Sequence, residues 1–149
     1  MAARSDPPRL RELRDVIPVG RTQTQPPWSV TCLAVERYED GFKITFRILG
    51  AGLWPCHPQL ALTVGDDQGG AYRHWGGGGN GATNWVDCDW RLAQICAPAV
   101  DPQARELRII VAEVQRTEVV GPVTGVLDVR VAQRHPGPWV FTITLPQPA

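Results

Sequence analysis

The chain has 149 residues, enough for one domain with a real core, and 43% of them are apolar. Fifteen basic and fifteen acidic side chains cancel, which argues against a dedicated nucleic-acid binder. No run is long and apolar enough to span a membrane, and residues 1–8 lack the apolar core of a secretory signal, so a cytoplasmic location without a membrane partner is expected. Lys43 is the only lysine, and the other fourteen basic residues are arginine. That bias reads as coding composition rather than as selection for bidentate pairing.

Residues 1–14 are polar, arginine-rich and broken by Pro7 and Pro8, which predicts a mobile N-terminal arm. A β domain is expected over 15–146. A short strand at 15–19 is interrupted by Gln25-Pro26-Pro27, and a second strand runs over 29–38. Glu39-Asp40-Gly41 is a hairpin signal, because Asp-Gly tolerates the positive φ of a tight turn. In the strand that follows, Phe42, Ile44, Phe46 and Ile48 alternate strictly with Lys43, Thr45 and Arg47. This is the period of a strand with one face in a core, and a one-residue slip would bury the charges instead.

Residues 50–58 read as a loop fixed by Pro55 and Pro58. Leu60, Leu62 and Val64 alternate again, Asp66-Asp67-Gln68-Gly69-Gly70 turns the chain, and 71–75 returns. Gly76-Gly77-Gly78-Gly79-Asn80-Gly81 is expected to be a flexible loop, since glycine carries the most backbone entropy and has no side chain to pack. In the strand 84–92, Val86, Cys88, Trp90 and Leu92 face one way and Trp85, Asp87, Asp89 and Arg91 the other. Asp101-Pro102 resembles an N-cap with proline at the first helical position, which predicts one helical turn through Glu106. A strand over 107–120, a break at Gly121-Pro122, a strand from Gly125, a last turn at Pro136-Gly137-Pro138 and a closing strand with Phe141, Ile143 and Leu145 complete the chain. Eight or nine strands with recurrent turns predict a two-sheet antiparallel β-sandwich.

The order of the Tyr38-Glu39-Asp40-Gly41-Phe42 hairpin, the turn from Thr63 to Gly69, Tyr72 and the glycine run resembles bacterial immunoglobulin-like β-sandwich domains of unknown function, over roughly residues 15–146. The resemblance implies a fold and a binding or accessory role, and it carries no catalytic residues. The chain departs from the antibody pattern: no tryptophan follows Cys32 on the next strand, and Val86 rather than tyrosine stands two residues before Cys88.

Cys32, Cys56, Cys88 and Cys96 read as reduced thiols, mostly small buried hydrophobes, and the absence of Cys-x-x-Cys removes the usual zinc spacing. The glycine run lacks a following Gly-Lys-Ser/Thr, so it is not a phosphate loop. Only His57, His74 and His135 could serve as a base for a nucleophile, and no nucleophile elbow is present. Asp66-Asp67 and the pair Asp87 and Asp89 are carboxylate clusters, read as solvated rather than as a Ca²⁺ site. No cofactor or metal is expected. The excess is in tryptophan: Trp28, Trp54, Trp75, Trp85, Trp90 and Trp139. Trp90 shares the apolar face of its strand and reads as core. His74, Trp75, Trp85, Asp87 and Asp89 form the candidate binding surface, at the end of the domain that carries the glycine loop. The expectation is a non-enzymatic module for protein–protein contact or self-association. A small-ligand or glycan module using the same aromatics is the alternative.

Overall fold

The computed structural model describes residues 7–52, 57–120 and 128–147, the side chains of 118–120 and 128–130 excepted. Eight strands make up most of it: β1 (Leu13–Gln25), β2 (Trp28–Tyr38), β3 (Phe42–Ala51), β4 (His57–Asp66), β5 (Ala71–Thr83), β6 (Asp87–Ala97), β7 (Glu106–Val120) and β8 (Asp128–Thr144). The expected break at Gly121-Pro122 and part of the loop before β4, residues 53–56, lie outside the described residues. No helix among the described residues is long and apolar enough to cross a membrane.

The all-β class holds, but the expected two packed sheets do not. The strands form one antiparallel sheet in the order β1-β2-β3-β6-β5-β4-β7-β8, curled into a half-barrel. The reason is β5. Its first residues pair with β4 (Val64 with Tyr72, Gly65 with Ala71), and from Arg73 to Thr83 it pairs with β6. One strand therefore belongs to both halves and makes them continuous. It can do so because the glycine run expected as a loop continues the strand. The ends of the sheet approach each other where Arg21 Nη1 of β1 donates to Thr142 O of β8 at 2.6 Å, and Gln25 Nε2 donates to Pro138 O.

Inside the curl lies one core. Phe42, Ile44, Phe46 and Ile48 are all fully buried, as the alternation of β3 requires. Phe46 meets Phe141 of β8 with ring centroids 6.2 Å apart, so β3 packs across the core on the far half of the sheet. A register shift after Cys32 resets the phase of β2, which lets both Cys32 and Val35 point inward three residues apart. The expected last turn at Pro136-Gly137-Pro138 is a second irregularity of this kind, within β8. There the register against β7 jumps from Val111 with Trp139 to Glu113 with Pro136.

The expected helical turn at Asp101 is a single tight turn: Ala104 N donates to Asp101 O at 3.0 Å, and the Asp101 carboxylate accepts from Gln103 N at 2.8 Å. The Asp66-Asp67 pair is occupied by the chain itself. Asp66 accepts from Gln68 N and Gly70 N, both at 2.8 Å, and from Tyr72 Oη at 2.5 Å, while Asp67 accepts from Arg105 N and Glu106 N. Burial opposes ionisation of Asp66, but these donors outweigh it and hold its carboxyl below the usual range. The segment expected to be an arm is tied down where it is described: Arg9, Leu10 and Arg11 donate their main-chain N–H groups to Asp40 in the β2–β3 turn.

Candidate functional site

The candidate residues are all carried by the β5–β6 hairpin, but the strand character of the glycine run separates them. His74 pairs in register with Cys96 and Thr83 with Cys88, so Trp75 and Trp85 are divided by the length of the hairpin, about 30 Å at roughly 3.3 Å per residue. The surface expected around His74, Trp75 and Trp85 is thus two separate places.

At the first place, His74 and Trp75 have local partners. His74 Nε2 lies 2.5 Å from Gln94 Oε1, and Gln94, fully buried, donates from its own amide to Ala93 O at 3.1 Å. That orientation of the amide leaves Oε1 as an acceptor and assigns the His74 proton to Nε2. Burial pushes the His74 pKa down, against a smaller opposing contribution from Gln94. His74 therefore satisfies a buried polar group. Trp75 receives the Arg73 guanidinium on its face, 3.8 Å from the ring centroid.

At the second place, the β5–β6 turn is built rigidly. Asn84 Oδ1 accepts from Val86 N and Asp87 N, both at 2.7 Å, and Asn84 N donates to Asp87 O at 2.9 Å. The end of β3 braces it: Gly52 N donates to Val86 O at 2.9 Å. A Cβ on Gly52 would sit 2.2 Å from Asn84 O, so the brace requires glycine. This clasp holds two apolar side chains out in solvent, Trp85 at 77% exposure and Val86 at 74%. Val86, expected on the core side, is turned outward because it belongs to the turn and β6 starts only at Asp87. Asp87 and Asp89 share the outer face of β6, as their spacing predicts. Asp89 is bound in a fork by Arg47, Nε to Oδ1 at 3.0 Å and Nη2 to Oδ2 at 2.8 Å, and this partner keeps its pKa low.

Sequence reasoning missed a third place. Because β4 and β5 pair over two residues and then diverge, a cleft of about 390 Å³ opens between them. Its walls are His57, Pro58 and Gln59 of β4 and Gly79, Asn80 and Gly81 of β5, and Trp90 and Leu92 of β6 and Thr117 of β7 line it too. Trp90, expected in the core, is only partly buried and carries the His57 ring at 4.9 Å between centroids. The pairing register of β5 was the missing signal, and it is invisible in a run of glycines.

Cys56 lies outside the described residues, and the three described thiols are poorly disposed to react. Cys32, Cys88 and Cys96 are free and buried, and burial pushes their pKa up to about 12, about 11 and about 12. Among the described residues, no group of three or more His, Cys, Asp or Glu is placed to hold a metal ion.

No family model matches the chain, and no curated protein matches it. Among solved structures it is similar to the crystal structure of a conserved domain protein from Bacillus anthracis, with a TM-score of 0.59 and 16% sequence identity. The match covers 88% of this chain and 48% of that one, so the chain spans about half the length of its structural neighbour. At that identity the likeness is one of fold.

Proposed function

We propose that the chain is a non-enzymatic, all-β binding module whose partner is a protein, engaged through the β5–β6 tip. The observation that carries this reading is the clasped turn that holds Trp85 and Val86 in solvent. An exposed tryptophan on a rigid tip loses little conformational freedom on docking and supplies the kind of anchor that dominates interface energies. The burial of the three described thiols and the structural role of His74 are in keeping with a module that performs no covalent chemistry. The test is a pull-down from the native host with wild type and Trp85→Ala, quantified by mass spectrometry. A partner retained by wild type and depleted at least about tenfold by the variant is expected, the size of effect a central anchor gives. An identical partner profile for the two proteins sinks the reading.

A second reading is favoured by the β4–β5 cleft. Among the described residues its lining holds no carboxylate, lysine or arginine. It offers the Trp90 and His57 rings beside the side-chain amides of Gln59 and Asn80. Flat rings with neighbouring amides suit a neutral, hydroxyl-rich ligand such as a glycan. Titration of tryptophan fluorescence against a glycan panel, with Trp90→Ala as control, distinguishes it from the first.

A further inference from the structure

The edge of a β-sheet is a row of unpaired N–H and C=O groups, and natural sheets blunt such rows with proline, charge or bulges. Four strands here present an edge with no strand partner among the described residues: β1 and β8 at the ends of the sheet, and β4 and β5 where they diverge. Three of the four are blunted. β1 carries Pro18 and Arg21, β8 carries Pro136 and Pro138, and β4 carries Pro58. β5 has Arg73 and a bulge between His74 and Gly77 near its start, but its residues 76–82 read Gly-Gly-Gly-Gly-Asn-Gly-Ala, with neither charge nor proline, and 77–82 are exposed.

The fold itself accounts for most of these glycines. Gly76 has φ +85°. A Cβ on Gly77, Gly79 or Gly81 would lie 1.7, 2.2 or 2.3 Å from the carbonyl oxygens of Ala93, Arg91 and Asp89 on β6. Gly78 is different. A Cβ there meets nothing within 4 Å, and its φ is outside the left-handed region. Nothing in the described residues requires that position to be bare.

We propose that residues 76–82 of β5 pair antiparallel with the same residues of a second copy, about a two-fold axis, and join two sheets edge to edge. The occupant follows from the edges themselves. On either copy the stretch 76–82 is without proline or arginine, and an antiparallel strand edge is self-complementary under two-fold symmetry. It carries no charge to repel its mate, and the bare Gly78 lets the second backbone approach. The proposal rests on the edge, not on the Trp85 tip, and stands whether or not the tip binds.

Sedimentation equilibrium across the micromolar range tests it. A monomer–dimer equilibrium is expected for wild type. Gly78→Lys should weaken it by about tenfold or more, because in this register residue 78 stands opposite Asn80 of the other copy and the two lysines become like-charged diagonal neighbours beside the axis. The melting temperature of the dilute variant should not fall below the wild-type value, since its side chain enters open space. Amide hydrogen exchange on wild type gives a readout that needs no variant: amides of 76–82 should slow as concentration rises. A wild type that stays monomeric, with exchange independent of concentration, overturns the proposal. So does a dimer that Gly78→Lys leaves intact, and a dimer lost only in Trp85→Ala assigns the contact to the tip instead. Protection of 76–82 that appears only with a foreign peptide overturns it in favour of strand addition by another protein.

Discussion

Alanine at two adjacent glycines should have opposite effects. At Gly77 an added Cβ would stand 1.7 Å from Ala93 O and 2.8 Å from Ala93 C, both main-chain atoms that cannot swing aside. Restoring a normal C···O approach of roughly 3.3 Å moves β5 off β6 by about 1.5 Å, which breaks the adjacent ladder bonds. Two such bonds at about 1 kcal/mol each, with a further 1–2 kcal/mol of overpacking strain, give a loss of about 3–4 kcal/mol. At Gly78 the same methyl enters open space, and the smaller conformational freedom of the unfolded chain should stabilise the protein by roughly 0.4–1 kcal/mol. At about 3 °C per kcal/mol for a chain of this size, the two variants should melt roughly 10–15 °C apart. Thermal melting at concentrations too low for association measures this directly. Equal and small effects would refute the placement of the glycine run as a strand against β6 and restore it as a loop.

Phe46→Ala should cost roughly 3–5 kcal/mol by urea unfolding, because the ring is fully buried and faces Phe141, while Thr45→Ala on the outer face should stay within about 0.5 kcal/mol. A disulfide reagent at pH 8 should reach Cys32, Cys88 and Cys96 only as fast as the fold opens, and at once in denaturant; reaction in seconds on the folded protein contradicts their burial. Stability should fall as pH drops below about 6.5. Burial lowers the folded pKa of both His74 and His135, so the unfolded chain takes up protons first. His74→Gln should flatten part of that slope, and a profile that is level from pH 7 to 5 argues against it. Below about pH 4, protonation of Asp15 and Asp66, whose folded pKa values are also lowered, should add to the loss in the same direction.

Alternation was the readable part of this chain. From Phe42 to Arg47 each apolar side chain is followed by a polar one, and nothing but a half-buried strand satisfies that pattern, so the core residues of β3 could be named from the sequence. The same holds for the outward placement of Asp87 and Asp89. The curl of the sheet was not readable, because it depends on β5. A glycine run has no side chains to show a period, and its conformation is set by the partner strand, which approaches to a distance only glycine allows. Once 76–81 is taken for a loop, His74, Trp75 and Trp85 fall together. Once it is a strand, they lie at opposite ends of a hairpin. Trp90 packs against the core, as its strand face predicts, but the divergence of β4 from β5 leaves it partly uncovered.

The contact between β3 and β8 bears on how the chain reaches its fold. Phe141 belongs to the last strand and closes over Phe46, which is separated from it by most of the sequence. Trp28, at the start of β2, is likewise covered by the ring of His135 from β8, at 5.2 Å between centroids. During synthesis the first three strands can pair locally as a meander, but the part of their apolar face around Trp28 and Phe46 lacks its aromatic cover until β8 leaves the ribosome. Closure is then a late, long-range event, and folding should be slow for a domain of this length. Through that interval the nascent chain presents a bare hydrophobic sheet, the kind of surface that chaperones hold and that truncated products turn into aggregates.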